Sequence, residues 1–380
     1  MDFEFAPDTL VLRDMLRRFV HKEARPLESK YFTSGDIALE DHARLHKSIE
    51  QLGLWGLMVP EEYGGGGLDL LTTCVIEEEL GQTFLPIDLG DVIPLLYACQ
   101  GDQVTRFLEP ALAGNRRAIL AAREPTENHQ SMLGAINPGE WSTRVTSSGD
   151  EFVLNGYKIL SERPEPHDFL IVLVNMPEGT AAFLLDANSP GLNLTDGANQ
   201  ILSLEECRVG WEAMLSEPGK VITQIAGNAN QGWIRMGARY IGISERLLEM
   251  ALEHAKSWIS LGSPLSMRPA IQRLLVDLNI EIERCRWLVY HAAWMVDEAR
   301  TESNSFLAAQ VRLATVEMLR QAVDSTTMIF AGPGPSPQTE HLRYLRGVLP
   351  RGALEMALDR ARVLISSEML DLKNHGTVEF

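Results

Sequence analysis

The spacing of apolar residues changes twice along the chain. Up to residue 118, apolar residues recur at steps of three and four, as at Leu12, Leu16 and Phe19, which indicates amphipathic helices. Between residues 119 and 222, short apolar runs alternate with turn residues, which is typical of β-strands. Helical spacing then returns. The sequence therefore predicts an α+β multidomain fold with domains over residues 1–118, 119–222 and 223–380.

The C-terminal region has the pattern of a helical bundle. Leu275, Leu278 and Ile282 begin a series that keeps alternating three- and four-residue steps. Further helical patterns lie around Leu247 and over residues 303–330 and 354–370. We therefore expect four helices packed as a bundle.

Turn residues separate the predicted elements within the first two regions. Arg144 to Thr146 lead into Ser-Ser-Gly-Asp at residues 147–150, and an apolar run follows, which predicts a β-hairpin. Residues 169–174 and 180–186 read as further strands. Four successive glycines at residues 64–67 would be costly inside a helix, so they predict a turn whose backbone passes close to another part of the protein.

Charge and cysteine content narrow the classes of function. The chain of 380 residues has a formal net charge of −18 and no dense run of lysine or arginine, which disfavours nucleic-acid binding. It has no apolar run long enough for a membrane helix and no secretory pattern at its start. None of the four cysteines forms a CxxC pair, so we expect reduced, buried thiols and no metal site. These features predict a cytoplasmic protein without membrane or nucleic-acid partners.

Several stretches resemble the acyl-CoA dehydrogenase family, in the order in which that family has them. They are LGLWGLMVPEEYGGGGLD (52–69), IEEELGQ (76–82), FLEPALAGNRRAILAAREP (107–125), FVLNGYKILS (152–161) and SLGSPLSMRPAIQ (260–272). The resemblance implies an N-terminal helical domain, a middle β domain and a C-terminal four-helix bundle through which tetramers form. It also implies an oxidoreductase in which a glutamate removes the α-proton of an acyl-CoA and FAD accepts the β-hydrogen as hydride.

The positions that the resemblance implies for the base carry no carboxylate. Arg351 stands where most of the family has a glutamate, and Gly232 stands at the alternative position used by some relatives. Glu245 and Glu355 lie on neighbouring helical sequence, and we interpret both as exposed-face charges. The sequence therefore predicts no catalytic residue in this chain.

The flavin-binding motifs are only partly retained. Of the motif whose hydroxyls and backbone contact the flavin ring, this chain keeps Glu124 and Pro125. Of the motif whose tryptophan packs on the flavin, it keeps Lys158 and the hydroxyl of Ser161 but not the aromatic residue. The resemblance makes these four residues candidate cofactor ligands.

The remaining flavin positions lie in the C-terminal region. Trp258 replaces the arginine that would meet the FAD pyrophosphate, and an indole cannot neutralise a diphosphate. Gly332 and Gly334 match part of a glycine-rich loop that, in the family, reaches the FAD of a neighbouring subunit. They are therefore candidate cofactor-binding residues, although a helix C-cap is the alternative interpretation.

The resemblance, together with the family motif residues that this chain lacks, leads to three alternative hypotheses for its function. The first is the base-less subunit of a heteromeric FAD-dependent acyl-CoA dehydrogenase, which pairs with a catalytically complete subunit and acts in lipid catabolism on acyl-CoA thioesters, including bulky ones such as steroid side chains. An electron-transfer flavoprotein would accept the electrons, and FAD would be weakly held, shared with the partner subunit or absent from the isolated chain. The second is an active flavoenzyme with a relocated base. The third is a flavin-free homo-oligomeric scaffold.

Overall fold

The computed structural model describes most of the chain and divides it into two compact units. The described residues are 4–34, 38–124, 142–149, 151–160, 168–195, 201–299, 304–330 and 353–370. The described residues up to 89 and from 230 to 370 form one of the units, here called the helical unit, and those between 90 and 229 form the sheet unit. The N-terminal and C-terminal helices thus share a unit, and the three predicted domain boundaries stay a prediction.

The helices follow the apolar spacing of the sequence. They are α1 Pro7–Phe19, α2 Glu28–Ser34, α3 Leu39–Gln51, α4 Leu70–Leu80, α5 Glu109–Leu112, α6 Val221–Ser257, α7 Pro269–Asp297, α8 Asn304–Phe330 and α9 Ala353–Met369. Proline at the first position begins α1 and α7, where no backbone donor is lost. Asp69 caps α4 because its carboxylate accepts from the backbone N–H of Thr72 at 2.7 Å.

The glycine turn forms as predicted and explains why glycine is required there. Gly64 has a φ of +83°, and a Cβ on Gly65 would overlap the backbone oxygen of Val59. The N–H of Gly66 donates to the carbonyl of Gly56 at 3.0 Å. The glycine turn therefore folds back onto the turn at residues 55–59 that precedes it.

The core of the C-terminal helices is built from the series predicted for α7. Leu278, Ile282 and Val289 are buried, and they pack in one cluster with buried residues of α4, α6 and α8. These partners include Cys74, Leu247, Ala251, Val311 and Met318. A separate cluster joins α1, α3 and α4. Apolar burial along whole helices therefore holds the helical unit together.

The sheet unit contains an eight-stranded sheet. Its strands are β1 Ala118–Ala121, β2 Arg144–Ser148, β3 Glu151–Ile159, β4 Phe169–Met176, β5 Gly179–Asp186, β6 Leu192–Leu194, β7 Ile201–Gly210 and β8 Met214–Ser216. The order is β6-β7-β3-β2-β4-β5-β8, with β1 parallel to β4. The predicted hairpin is present, with Val145 opposite Leu154. The six residues Phe169 to Val174 are all fully buried, as expected for a central strand.

These elements confirm the predicted fold class of helices, a middle sheet and C-terminal helices. All four cysteines are free and buried. Within the described ranges, every helix is too short or too polar to cross a lipid bilayer.

Candidate functional site

A buried ion pair links two of the predicted cofactor residues in the sheet unit. Glu124 follows β1 just beyond a bridge between Arg123 and Ile159, and Lys158 lies near the end of β3. The Lys158 Nζ atom is 3.0 Å from Glu124 Oε1, and the two side chains are 0% and 1% exposed, respectively. The pair therefore lies in the interior and not at a solvent-facing surface.

Further donors complete the environment of Glu124. The backbone N–H of Ser142 donates to Oε2 at 2.6 Å, its hydroxyl donates to the same oxygen at 2.8 Å, and the N–H of Thr143 donates to Oε1 at 2.9 Å. Burial alone would raise the pKa of Glu124, but the hydrogen bonds from Thr143 and Ser142 and the charge of Lys158 hold it below its ordinary value. Glu124 is thus an ionised carboxylate with both oxygens occupied.

A glycine on β3 lets this cluster close. Gly156 has a φ of +143°, at a register shift between β3 and β7, and a Cβ there would lie 2.5 Å from the Cα of Thr143. The Thr143 hydroxyl donates to the carbonyl of Tyr157 at 3.1 Å. The backbone at Thr143 is therefore fixed against β3 from two sides.

This geometry limits what Glu124 and Lys158 can do for a cofactor. Their charged atoms bind each other and the backbone, so their contribution is to hold the segment at Ser142 in place. Whether that segment binds a flavin stays a prediction. Pro125, Ser161, Gly332 and Gly334 lie outside the described residues; these candidates also stay predictions.

The alternative base position is described, and it carries no side chain. Gly232 lies within α6, and a Cβ added to it would meet no atom within 4 Å. Arg351, at the other base position, lies outside the described residues. The side chain of Glu355 does too.

Glu245 on α6 is not the simple exposed charge that the sequence indicated. It forms an ion pair with Arg286 of α7, and it accepts from the amide of Gln82 at 2.8 Å. Burial raises the pKa of Glu245, partly offset by Arg286. Glu245 therefore belongs to a contact between helices.

Trp258 follows the last residue of α6 and takes part in an aromatic stack. Its ring lies 5.5 Å from the ring of His254 with an angle of 21°, and His254 stacks in turn on Phe330 at 4.2 Å. The indole is 41% exposed. At the position where the resemblance implies a cation for pyrophosphate, the structure thus has an aromatic surface.

The sequence did not reveal the role of three successive glutamates on α4. Glu77 binds two arginines of α6: Arg235 Nη2 lies 2.9 Å from Oε1 and Arg239 Nε lies 2.7 Å from Oε2. Burial alone would raise the pKa of Glu77, but Arg239 and Arg235 outweigh burial and hold it below its ordinary value. Glu77 is therefore charged and bound to α6.

The next two glutamates bind other helices. Glu78 accepts from Arg286 Nε at 3.0 Å and from the Tyr290 hydroxyl at 2.8 Å, both on α7. Burial raises its pKa to about 7, against the opposing charge of Arg286. Glu79 pairs with Arg17 of α1 at 2.5 Å. Since successive helix residues point about 100° apart, one run of three acids contacts three helices.

A pair of glycines brings α4 and α6 close enough for these contacts. A Cβ on Gly242 would overlap the carbonyl oxygen of Glu78, and a Cβ on Gly81 would overlap the carbonyl oxygen of Arg239. The crossing therefore requires glycine inside α6, at Gly242, and directly after the last residue of α4, at Gly81. The sequence signal was a glycine inside each of two helical patterns, in IEEELGQ and in YIGIS.

Comparison with known proteins identifies the class. Residues 6–115 match the acyl-CoA dehydrogenase N-terminal domain, and residues 222–360 match the C-terminal domain of the same family. Together the two matches span more than half of the chain. The chain belongs to the acyl-CoA dehydrogenase family, whose members are FAD-dependent oxidoreductases.

The individual relatives are distant. The chain is 27% identical to (R)-benzylsuccinyl-CoA dehydrogenase of Thauera aromatica, with 97% of each chain covered. It is 24% identical to the mitochondrial short-chain specific acyl-CoA dehydrogenase of Rattus norvegicus, over 95% of this chain and 89% of that protein. The solved structure of butyryl-CoA dehydrogenase from Megasphaera elsdenii superposes with a TM-score of 0.82 at 24% identity, over 97% of this chain and all of that one. This last likeness shows the fold.

The described residues fit the family's FAD poorly. Glu124 and Lys158 bind each other, Trp258 offers an aromatic face where the resemblance predicts a contact with the FAD pyrophosphate, and Gly232 supplies no carboxylate at the predicted alternative base position. We therefore assign no flavin chemistry to the side chains that the structure describes.

Proposed function

We propose that this protein is the base-less subunit of a heteromeric FAD-dependent acyl-CoA dehydrogenase. The observation that carries the proposal is Gly232, the described base position, which lies in open space within α6 and has no side chain to take a proton. The sequence places Arg351 at the other position. Proton abstraction next to a thioester needs a carboxylate or another base in contact with the carbon acid, so that base would come from a second subunit.

The site residues support different roles for the two subunits, with the chemistry on the partner subunit. Glu124 with Lys158 and Glu77 with Arg239 are ion pairs within this chain's own fold. From the sequence we infer that the charges required for the chemistry are missing from this chain. A complete partner subunit would supply the glutamate and the pyrophosphate-binding arginine, and an electron-transfer flavoprotein would oxidise the reduced complex. FAD would be held weakly here or shared across the interface, with Gly332 and Gly334 as the candidate contacts.

The substrate class in this proposal is an acyl-CoA thioester with a bulky acyl group. The name of the relative from Thauera aromatica denotes an acyl group that carries an aromatic ring. A complex with half as many active sites could give each acyl group more room, which would also suit a steroid side chain.

The first experiment measures flavin. We expect the chain purified alone to contain little FAD, because the loss of one charge-assisted contact costs about 1.5–3 kcal/mol, roughly tenfold or more in affinity. Co-expression with a family member that carries the glutamate should give a yellow complex with acyl-CoA dehydrogenase activity. Stoichiometric FAD in the isolated chain after dialysis would favour the flavoenzyme with a relocated base instead.

The second experiment restores a carboxylate. Arg351→Glu and Gly232→Glu should each leave the isolated chain without dehydrogenase activity, because the flavin that accepts the hydride is poorly held. Turnover of an acyl-CoA by either variant, with an artificial electron acceptor present, would contradict the proposal. If the chain forms no complex with any such family member and is itself a flavin-free homo-oligomer, these two results would favour the scaffold.

A further inference from the structure

An arginine of α8 lies against the aromatic face of α6. The guanidinium carbon of Arg312 is 4.9 Å from the ring centroid of Trp233, a distance typical of a cation–π contact. Tyr240 lies seven residues further along α6, hence on nearly the same side of that helix. Arg312 thus has aromatic neighbours on α6.

Within the described ranges, Arg312 has no carboxylate to pair with. Its Nε atom is buried and makes no hydrogen bond, and no ion pair or other hydrogen bond joins Arg312 to a described residue. Burial lowers the pKa of Arg312, partly offset by Tyr240. Arg286, a comparably placed arginine of α7, pairs with Glu78, Glu245 and Glu283. A desolvated charge without a counter-ion is unfavourable, so an anion from outside would be stabilising at Arg312.

We propose that Arg312, beside the ring of Trp233, is a binding site for the carboxylate group of a small organic acid with an apolar or aromatic body. A guanidinium has five N–H donors, and those of Arg312 that no described residue accepts can bind the two oxygens of a carboxylate. One positive charge neutralises a carboxylate but only part of a phosphate dianion. The aromatic side chains of Trp233 and Tyr240 suit an apolar body. Arg312 is half-buried, so a small ion can reach it.

This inference goes beyond the proposed function and does not depend on it. Neither flavin nor a partner subunit takes part. Trp233 follows Gly232 directly on α6, but Arg312, which would hold the carboxylate, lies on α8. The test therefore uses the full-length chain alone, and its outcome leaves the heteromer proposal unchanged.

Isothermal titration calorimetry with benzoate tests the site. We expect benzoate to bind, and benzamide, which has nearly the same shape without the charge, to bind at least tenfold more weakly. Arg312→Met should weaken benzoate binding by about ten- to a hundredfold, the effect of losing a charge-assisted pair. Arg312→Lys should lose less, because it keeps the charge but not the planar edge. Arg273→Met, at an exposed arginine of α7, is the matched control and should bind benzoate like the wild type.

Thermal unfolding separates a ligand site from a structural role. Without ligand, Arg312→Met should have a melting temperature equal to that of the wild type or higher. With benzoate, the increase in melting temperature seen for the wild type should be absent. Equal benzoate affinity in wild type and Arg312→Met would overturn the proposal. A marked loss of melting temperature without ligand would also overturn it, because Arg312 would then have a partner within the chain. Binding of inorganic phosphate in preference to benzoate would overturn the carboxylate assignment.

Discussion

The sheet unit and the helical unit bury their charges in different ways. In the sheet unit, Glu124 is bound by one cation and by the backbone N–H groups of the consecutive residues Ser142 and Thr143, and its partner Lys158 is fully buried. In the helical unit, Glu77, Glu78 and Glu79 each bind a different helix through arginines that are partly exposed. The first arrangement fixes one point in the sheet, whereas the second ties one helix to three others.

The difference predicts how the stability of each unit changes when one member of an ion pair is removed. Around Glu124, water cannot replace a lost cation, because both side chains are buried. Around Glu77, two arginines share one carboxylate and each is more than a quarter exposed, so the loss of one leaves the other in place. We therefore expect sheet-unit variants to have the larger effects on stability.

The largest effect is expected for Lys158→Met. This change leaves Glu124 as a buried carboxylate that keeps its hydrogen bonds but has no cation, which costs about 3–5 kcal/mol of unfolding free energy. Chemical denaturation followed by circular dichroism would measure it. Arg208→Met is the control, since Arg208 pairs with Glu151 in the same sheet with both side chains about half exposed, and the loss should be at most about 1 kcal/mol. Equal losses in the two variants would contradict the comparison.

Gly242→Ala should have the next largest effect. The new methyl group would overlap the carbonyl oxygen of Glu78, so α4 and α6 must move apart, at a cost of about 1–3 kcal/mol. Gly232→Ala is the same change in the same helix with open space around it, and it should stabilise the protein by about 0.5–1 kcal/mol. Melting temperatures that shift in the same direction for both variants would refute the close crossing.

The smallest expected effect is on the pH dependence of stability. It is tested by comparing variants of two neighbouring residues, Glu78 and Glu77. Burial raises the pKa of Glu78 to about 7, above its ordinary value of 4.5, so its contribution to stability is present at low pH and is lost as the pH rises through about 7. The unfolding free energy should therefore fall less steeply between about pH 5 and about pH 8 in Glu78→Gln than in the wild type.

Glu77→Gln is the matched variant with the opposite sign. The pKa of Glu77 is held below its ordinary value, so its contribution is present above pH 4.5 and is lost as the pH falls through the lowered pKa. Glu77→Gln should therefore destabilise the protein at neutral pH and reduce its sensitivity to acid. Urea titrations from about pH 2 to about pH 8 would measure both slopes, and identical slopes for the two variants would contradict the assigned shifts.

Much of the fold was predictable because apolar spacing reports burial directly. The series from Leu275 to Val289 predicted the buried face of α7, and the run from Phe169 to Val174 predicted a central strand. The division of the chain into two units was harder to predict from the sequence. Contacts between distant parts of the chain place α1 and α8 in one unit, and local periodicity carries no information on such contacts.

The candidate site was predictable in its residue types but not in its pairings. Sequence resemblance identified Glu124 and Lys158 as candidate cofactor ligands, yet nothing in their spacing of 34 residues indicates that they bind each other. Glu245 was interpreted as exposed because its partner Arg286 lies 41 residues away on another helix. Arg312 gave no signal at all, since its environment depends on how α6 and α8 pack.

The three glutamates of α4 also restrict how the length of this helix can change during evolution. Inserting one residue before Glu77 would turn every later side chain by about 100° around the helix axis. Each acid would then take the direction of its neighbour, and the partners on α1, α6 and α7 would face the wrong residue together. Gly81 would leave its contact with Gly242 in the same step. Point substitutions in α4 remove one contact at a time, whereas a change of length removes all of them at once.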